Sequence, residues 1–179
     1  MGWLADETGL GKCAAKHVPL TPLSHLLRAA HVYADHDEVV YGARRFSYRQ
    51  YHARVSRLAS ALAQAGIAPG DVVATLLPNI PAMVEAHFGV PACGGVLNTI
   101  NIRLDVDTVA YIFAHGGAKL VLVDRQFLPL AVAACEQMDG PAPILIEVAD
   151  DAAGVHATGT YPEYEDFLAG GDPEFAWLL

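Results

Sequence analysis

Between Pro69 and Asp124 the chain repeats one unit: a β-branched apolar run, a Gly, Pro or Asn break, an amphipathic stretch, and another apolar run. The runs are Val72 to Leu77, Gly95 to Ile100 and Lys119 to Asp124, with a fourth at Ile144 to Val148, so their starts lie 23, 24 and 25 residues apart. That spacing holds one helix and two short loops, which is what parallel strands in right-handed βαβ units require. The run Val72 to Leu77 is continuous rather than alternating, as a strand buried on both faces must be. The architecture that satisfies both is an α/β fold with a parallel doubly wound sheet and flanking helices, in which ligands gather at the C-terminal ends of strands.

The flanking segments read as follows. Residues 1–19 lack periodicity and form an arm, and residues 20–179 are one α/β subdomain. Thr21 before Pro22 starts a helix ending near Tyr33, with Leu23, Leu26, Leu27 and Ala30 on one stripe. A hairpin turns at Gly42 between Glu38 to Tyr41 and Arg45 to Ser47. Ser47 and Gln50 form a capping box for a helix burying Tyr51, Val55, Leu58, Ala59 and Leu62, stopped by Gly66. Asn79 caps a helix from Ile80 to about Cys93, and Asp105 caps another to His115, stopped by Gly116. A further helix spans about Gln126 to Met138. Thr160 and Glu163 form a capping box for a helix to Ala169, which Gly170 and Gly171 end.

Charge and cysteine content narrow the partners. With a formal charge of -9, the chain lacks the positive surface that nucleic acid or an anionic membrane demands. Five of the eleven basic residues lie between Arg44 and Arg57, while after Arg125 there are ten acids and no Lys or Arg. The basic cluster is expected to be the solvated face of a helix. Cys13, Cys93 and Cys135 match no metal or redox spacing, which suits a reduced, cytoplasmic protein. No secretory signal, lipidation motif or transmembrane segment is expected, since the longest uncharged run, Ala86 to Ile102, is broken by Gly, Pro and Asn.

Several motifs fail on context. Gly9-Leu10-Gly11-Lys12 has no preceding strand and no Ser or Thr after the Lys, so it is expected to be arm rather than phosphate loop. His31 and His36, with Asp35 and Asp37, form no helical ligand pair, and no metal site is expected. Ser24, Ser47, Ser56 and Ser60 lack a nucleophile elbow. What remains are polar residues at or just past strand ends: Asn79 after the first run, and Asn98, Asn101 and Arg103 around the second. They are the candidate substrate or coenzyme contacts. Asn79 could be only a helix cap, and Arg103 could pair with Asp105 or Asp107 or stand exposed.

Taken in order, Phe46-Ser47-Tyr48-Arg49-Gln50-Tyr51, Ala68-Pro69-Gly70-Asp71-Val72-Val73-Ala74, Leu77-Pro78-Asn79, Gly89-Val90-Pro91-Ala92-Cys93-Gly94-Gly95-Val96-Leu97-Asn98 and Asn101-Ile102-Arg103-Leu104 resemble the N-terminal part of AMP-forming acyl-CoA synthetases. The resemblance covers about residues 20–179. It implies an incomplete N-terminal part of that family's large domain, truncated before the Ser/Thr/Gly-rich phosphate loop. The implied activity is activation of a carboxylic acid, expected to be a fatty acid, as an acyl adenylate and its transfer to coenzyme A. ATP, Mg2+ and coenzyme A are then the cofactors of the whole enzyme, none held tightly here. The implied partners are the remainder of the ligase, the acid and a possible homodimer. No catalytic residue is carried over, so the chain alone is expected to be inactive. The other reading is a stand-alone binding or oligomerisation module. The apolar end, Phe175 to Leu179, either docks on the domain or marks a cut chain.

Overall fold

The computed structural model describes Gly11 and residues 21–178, so the Gly9 to Lys12 motif and the arm lie outside the described residues apart from Gly11. Helix α1 (Pro22–Val32) begins at Thr21, whose hydroxyl accepts from the Leu23 N–H, and buries Leu23 and Leu26. Strands β1 (Asp37–Tyr41) and β2 (Arg44–Ser47) pair antiparallel around Gly42, whose φ of 57° suits glycine. Ser47 and Gln50 close the expected capping box on α2 (Tyr48–Gln64), and all five expected residues of its inner face are 0% exposed.

The ladder forms β3 (Val72–Leu76), α3 (Pro81–Ala92), β4 (Val96–Thr99), α4 (Val106–Gly116), β5 (Ala118–Asp124), α5 (Leu128–Glu136) and β6 (Ile144–Val148), followed by α6 (Tyr164–Ala169). The four strands make one sheet in the order β4-β3-β5-β6, and every neighbouring pair is parallel. The chain steps from β3 out to β4, then crosses back to β5, so the winding reverses between β3 and β5. Alternate residues face opposite layers. Val73, Leu120, Leu122, Ile146 and Val148 pack with α2, α3 and α6, whereas Ala74, Leu76, Val121, Val123 and Leu145 pack with α4 and α5. Burial on both faces is why β3, β5 and β6 read as largely apolar runs, whereas the edge strand β4 is only half-buried and carries Asn98 and Thr99. No described helix is long and apolar enough to cross a membrane.

Four local expectations are corrected. Asn79 does not cap α3: the N-cap is Ile80, with no side-chain hydrogen bond, because Ile80 N–H reaches the Pro78 carbonyl (2.9 Å) and turns the chain one residue later. Glu163, not Thr160, caps α6, its carboxylate accepting from the Glu165 and Asp166 N–H groups. The left-handed stop of α4 is Gly117 (φ 63°), one residue beyond Gly116. The basic cluster is only in part a solvated face: Arg45 and Arg49 are exposed and pair with the exposed Asp37 and Asp35. Arg54 instead pairs with Glu85 (2.5 Å), whose side chain is 0% exposed, and with Glu165 (2.7 Å), while Arg57 donates to the Gly171 carbonyl (2.8 Å). Arg54 and Arg57 thus meet acceptors from the helix layer and the C-terminal region. The apolar end docks: Trp177 stacks on His52 (ring centroids 4.8 Å apart) and donates to Ser56 Oγ (2.9 Å), and Leu178 N–H reaches the Ala92 carbonyl (2.9 Å).

Candidate functional site

The C-terminal ends of β3 and β4 border an open cleft of about 520 Å³. Its walls are two short loops, Leu77 to Asn79 and Ile100 to Ile102, with Thr99 and Met83 completing it. The loops are held by main-chain chemistry. Ile100 N–H donates to the Thr75 carbonyl (2.9 Å), extending the β3/β4 ladder, and Asn101 Oδ1 accepts from the Arg103 N–H (3.0 Å) in an Asx turn. Met83 is fixed from below by the Thr75 hydroxyl (3.5 Å to sulfur). A second groove of about 400 Å³, lined by Pro22, Val84, His87 and Phe88, shares Asn79 and Met83 with the first.

The four candidate residues therefore separate. Asn79 and Asn101 face each other across one cleft, both exposed, and Asn79 is free of the capping role. Asn98 lies within β4 on the opposite face from Leu97, its Nδ2 3.1 Å from where a Cβ on Gly116 would stand, so it packs beneath the end of α4. Arg103 is exposed and makes no ion pair among the described residues. Its neighbour Asp105 instead caps α4 by accepting from the Thr108 N–H (2.8 Å), and contacts with Thr108 hold that carboxyl below its ordinary value.

Past β5 and β6 the strand ends are closed. The Tyr41 hydroxyl of the hairpin donates to Asp150 Oδ2 (2.5 Å), and Asp124, 0% exposed, accepts from the Gln126 N–H (2.8 Å). Burial, then the charge of Asp150, pushes the Asp124 carboxyl up. These three residues were missed, although Asp124 ends an apolar run and Asp150 stands just past one, as Asn79 does. Among the described residues no group of three His, Cys, Asp or Glu side chains could hold a metal ion. The serines are engaged structurally: Ser47 caps α2, Ser56 accepts from Trp177, Ser60 from Gln64, and Ser24 donates to the Thr21 carbonyl.

A twice-wound parallel sheet with an open strand-end cleft defines an α/β ligand-binding domain. The chain belongs to the AMP-binding enzyme family, whose model matches residues 26–169. It is 43% identical over 183 residues to the peroxisomal acetate/butyrate–CoA ligase AAE7 of Arabidopsis thaliana, covering 96% of this chain and 32% of that protein. It is 39% identical to the acetate–CoA ligase CCL3 of Humulus lupulus, again over 96% of this chain and 32% of the relative. The chain thus spans about a third of the length of the curated relatives it matches. Among solved structures, the anthranilate CoA ligase AuaEII in complex with anthranoyl-AMP has the same fold (TM-score 0.81, 19% identity, 94% of this chain and 31% of that one).

Proposed function

We propose that this chain is the N-terminal part of an AMP-forming acyl-CoA ligase that activates a short- to medium-chain fatty acid, with residues 20–179 forming its first subdomain. The observation that carries this is the 43% identity to an acetate/butyrate–CoA ligase across 96% of the chain. In this reading Asn79 and Asn101 offer side-chain amides to the acyl or coenzyme A side of the site, and ATP and Mg2+ belong to the remainder of the ligase. Asn98 and Arg103 then act only through the loop they flank, and a dimer contact stays part of the reading. Free Cys93 and Cys135 favour a reducing compartment such as the cytoplasm.

The test is a chimera in which this chain replaces the matching third of the acetate/butyrate–CoA ligase. The chimera should form butyryl-CoA, and the 179-residue chain alone should show no acid-dependent pyrophosphate exchange. Exchange by the chain alone would overturn its inertness, and a folded but inactive chimera would overturn the ligase reading.

A further inference from the structure

The partly enclosed space beside α3 is bordered by two buried polar groups with no partner among the described residues. It is lined by Arg44, Arg54, Ala82 and Asp150, among others, and its volume of about 10 Å³ is room for a single water molecule. Asp150 is 3% exposed. Its Oδ2 accepts from Tyr41, but its Oδ1 has no partner among the described residues. The donor comes from the start of α3. Ile80 caps the helix without a side-chain acceptor, Pro81 has no N–H, and the Met83 and Val84 N–H groups both reach the Ile80 carbonyl (2.9 and 3.4 Å). Ala82, 5% exposed, is left with an N–H that no described carbonyl or side chain accepts.

A buried donor and a buried acceptor each lose free energy when unpaired, and both border one polar cavity. We propose that one water molecule occupies this cavity, accepting from the Ala82 N–H and donating to Asp150 Oδ1, so that Asp150 is a positioning residue for the loop Pro78 to Ile80. A cation does not suit the space, because Arg44 and Arg54 already pair with Glu165, the other carboxylate beside Asp150 in its lining, and the positive end of α3 borders it. An anion would meet the Asp150 carboxylate. The bridge ties the loop after β6 to the first turn of α3, and Ile80 N–H bonded to the Pro78 carbonyl passes that restraint to Asn79 at the cleft. Only the importance of the cleft rests on the ligase reading; the water does not.

Nuclear magnetic resonance on the full 179-residue chain tests this separately from any activity. The wild-type Ala82 amide proton should show cross-relaxation with a long-lived water. Asp150→Ala should speed exchange of that amide about tenfold and move the Asn79 resonances, while those of the Asp105 to Thr108 cap stay in place. Asp150→Asn keeps an oxygen acceptor and should restore both. Tyr41→Phe removes only the bond to Oδ2, so the water contact should persist. Should Asp150→Ala fail to fold, the wild type and Tyr41→Phe decide. Absence of a slow water at Ala82, unchanged Ala82 exchange in Asp150→Ala, or failure of Asn to restore it each overturns the proposal.

Discussion

Replacing Arg54 by Met isolates the energetics of a fully buried carboxylate that faces a guanidinium, one of two among the described residues, the other being Glu147 with Arg125. Glu85 has a side chain 0% exposed, and it accepts from Arg54 Nε (2.5 Å), Arg54 Nη2 (3.3 Å) and the Tyr164 hydroxyl (2.7 Å). Burial alone would lower the Arg54 pKa, but the hydrogen bonds it donates to Glu165 and Glu85 outweigh it and hold the guanidinium above its ordinary value. Arg54→Met leaves Glu85 with only Tyr164, an uncompensated buried charge worth about 3–5 kcal/mol of lost stability. The Glu165 half of the network is 49% exposed and adds at most about 1 kcal/mol. Native domains hold only about 5–15 kcal/mol in total. With a urea slope of about 2 kcal/mol per molar, the midpoint should fall by about 2 M, read by Trp177 fluorescence and circular dichroism. Arg54→Met/Glu85→Met should recover most of that loss, because two apolar side chains leave no charge behind. A double variant as unstable as Arg54→Met alone would refute the argument and assign the effect to packing against Phe46, over which Arg54 lies at 4.9 Å.

Two further outcomes follow from close contacts and from titration. The Asp124 carboxyl is raised in the folded chain, by burial and then by Asp150, so its contribution is full below the unfolded value of about 3.9 and is lost as pH rises through the folded value. Asp124→Asn keeps an acceptor for the Gln126 N–H, so its stability relative to wild type should improve from pH 4 to pH 7; a gap that stays flat across urea melts at those pH values would contradict this. In Gly171→Ala the new Cβ would lie 2.8 Å from the carbonyl carbon and 2.9 Å from the Cα of Arg57, inside α2 where the backbone cannot yield. A loss of about 2–3 kcal/mol and a red shift of Trp177 emission are expected, and unchanged emission and stability would show that the turn after α6 accommodates a side chain.

What the sequence revealed and what it hid divide along a physical line. Strand order could not be read, since spacing fixes the type of connection but not which side of β3 each strand joins. Strand identity could, because burial on both faces leaves an unbroken apolar run at Val72 to Leu76 and Leu120 to Val123. Ser47 and Asp105 were legible as caps because each bonds within three residues of itself. Asn79 misled because an Asn before a Pro-started helix fits a cap locally, and only the bond from Ile80 to Pro78 shifts the start of α3. Arg54 misled for the opposite reason: its partners, Glu85 and Glu165, are 31 and 111 residues away, and no local pattern announces them. A comparable distance in sequence, 109 residues, separates Tyr41 from Asp150.

The strand-end rule for doubly wound sheets says where a ligand can sit, and in this chain the residues after each strand decide which half of that edge stays available. After β3 and β4 the chain places Pro78-Asn79 and Asn101, small amide-bearing residues on loops satisfied by their own main chain, so the edge is left open. At the end of β5 and just past β6 it places Asp124 and Asp150, and like carboxylates close together are unfavourable unless protons or donors intervene. The hairpin supplies one such donor in Tyr41, which covers the second half of the edge and joins it to α2 through β2. The reversal between β3 and β5 therefore marks a boundary between an open, neutral cleft and a sealed, acidic crest. On the proposed ligase reading, that asymmetry would favour approach of a carboxylic acid from the open side, at Asn79 and Asn101, over the side where Asp124 and Asp150 stand.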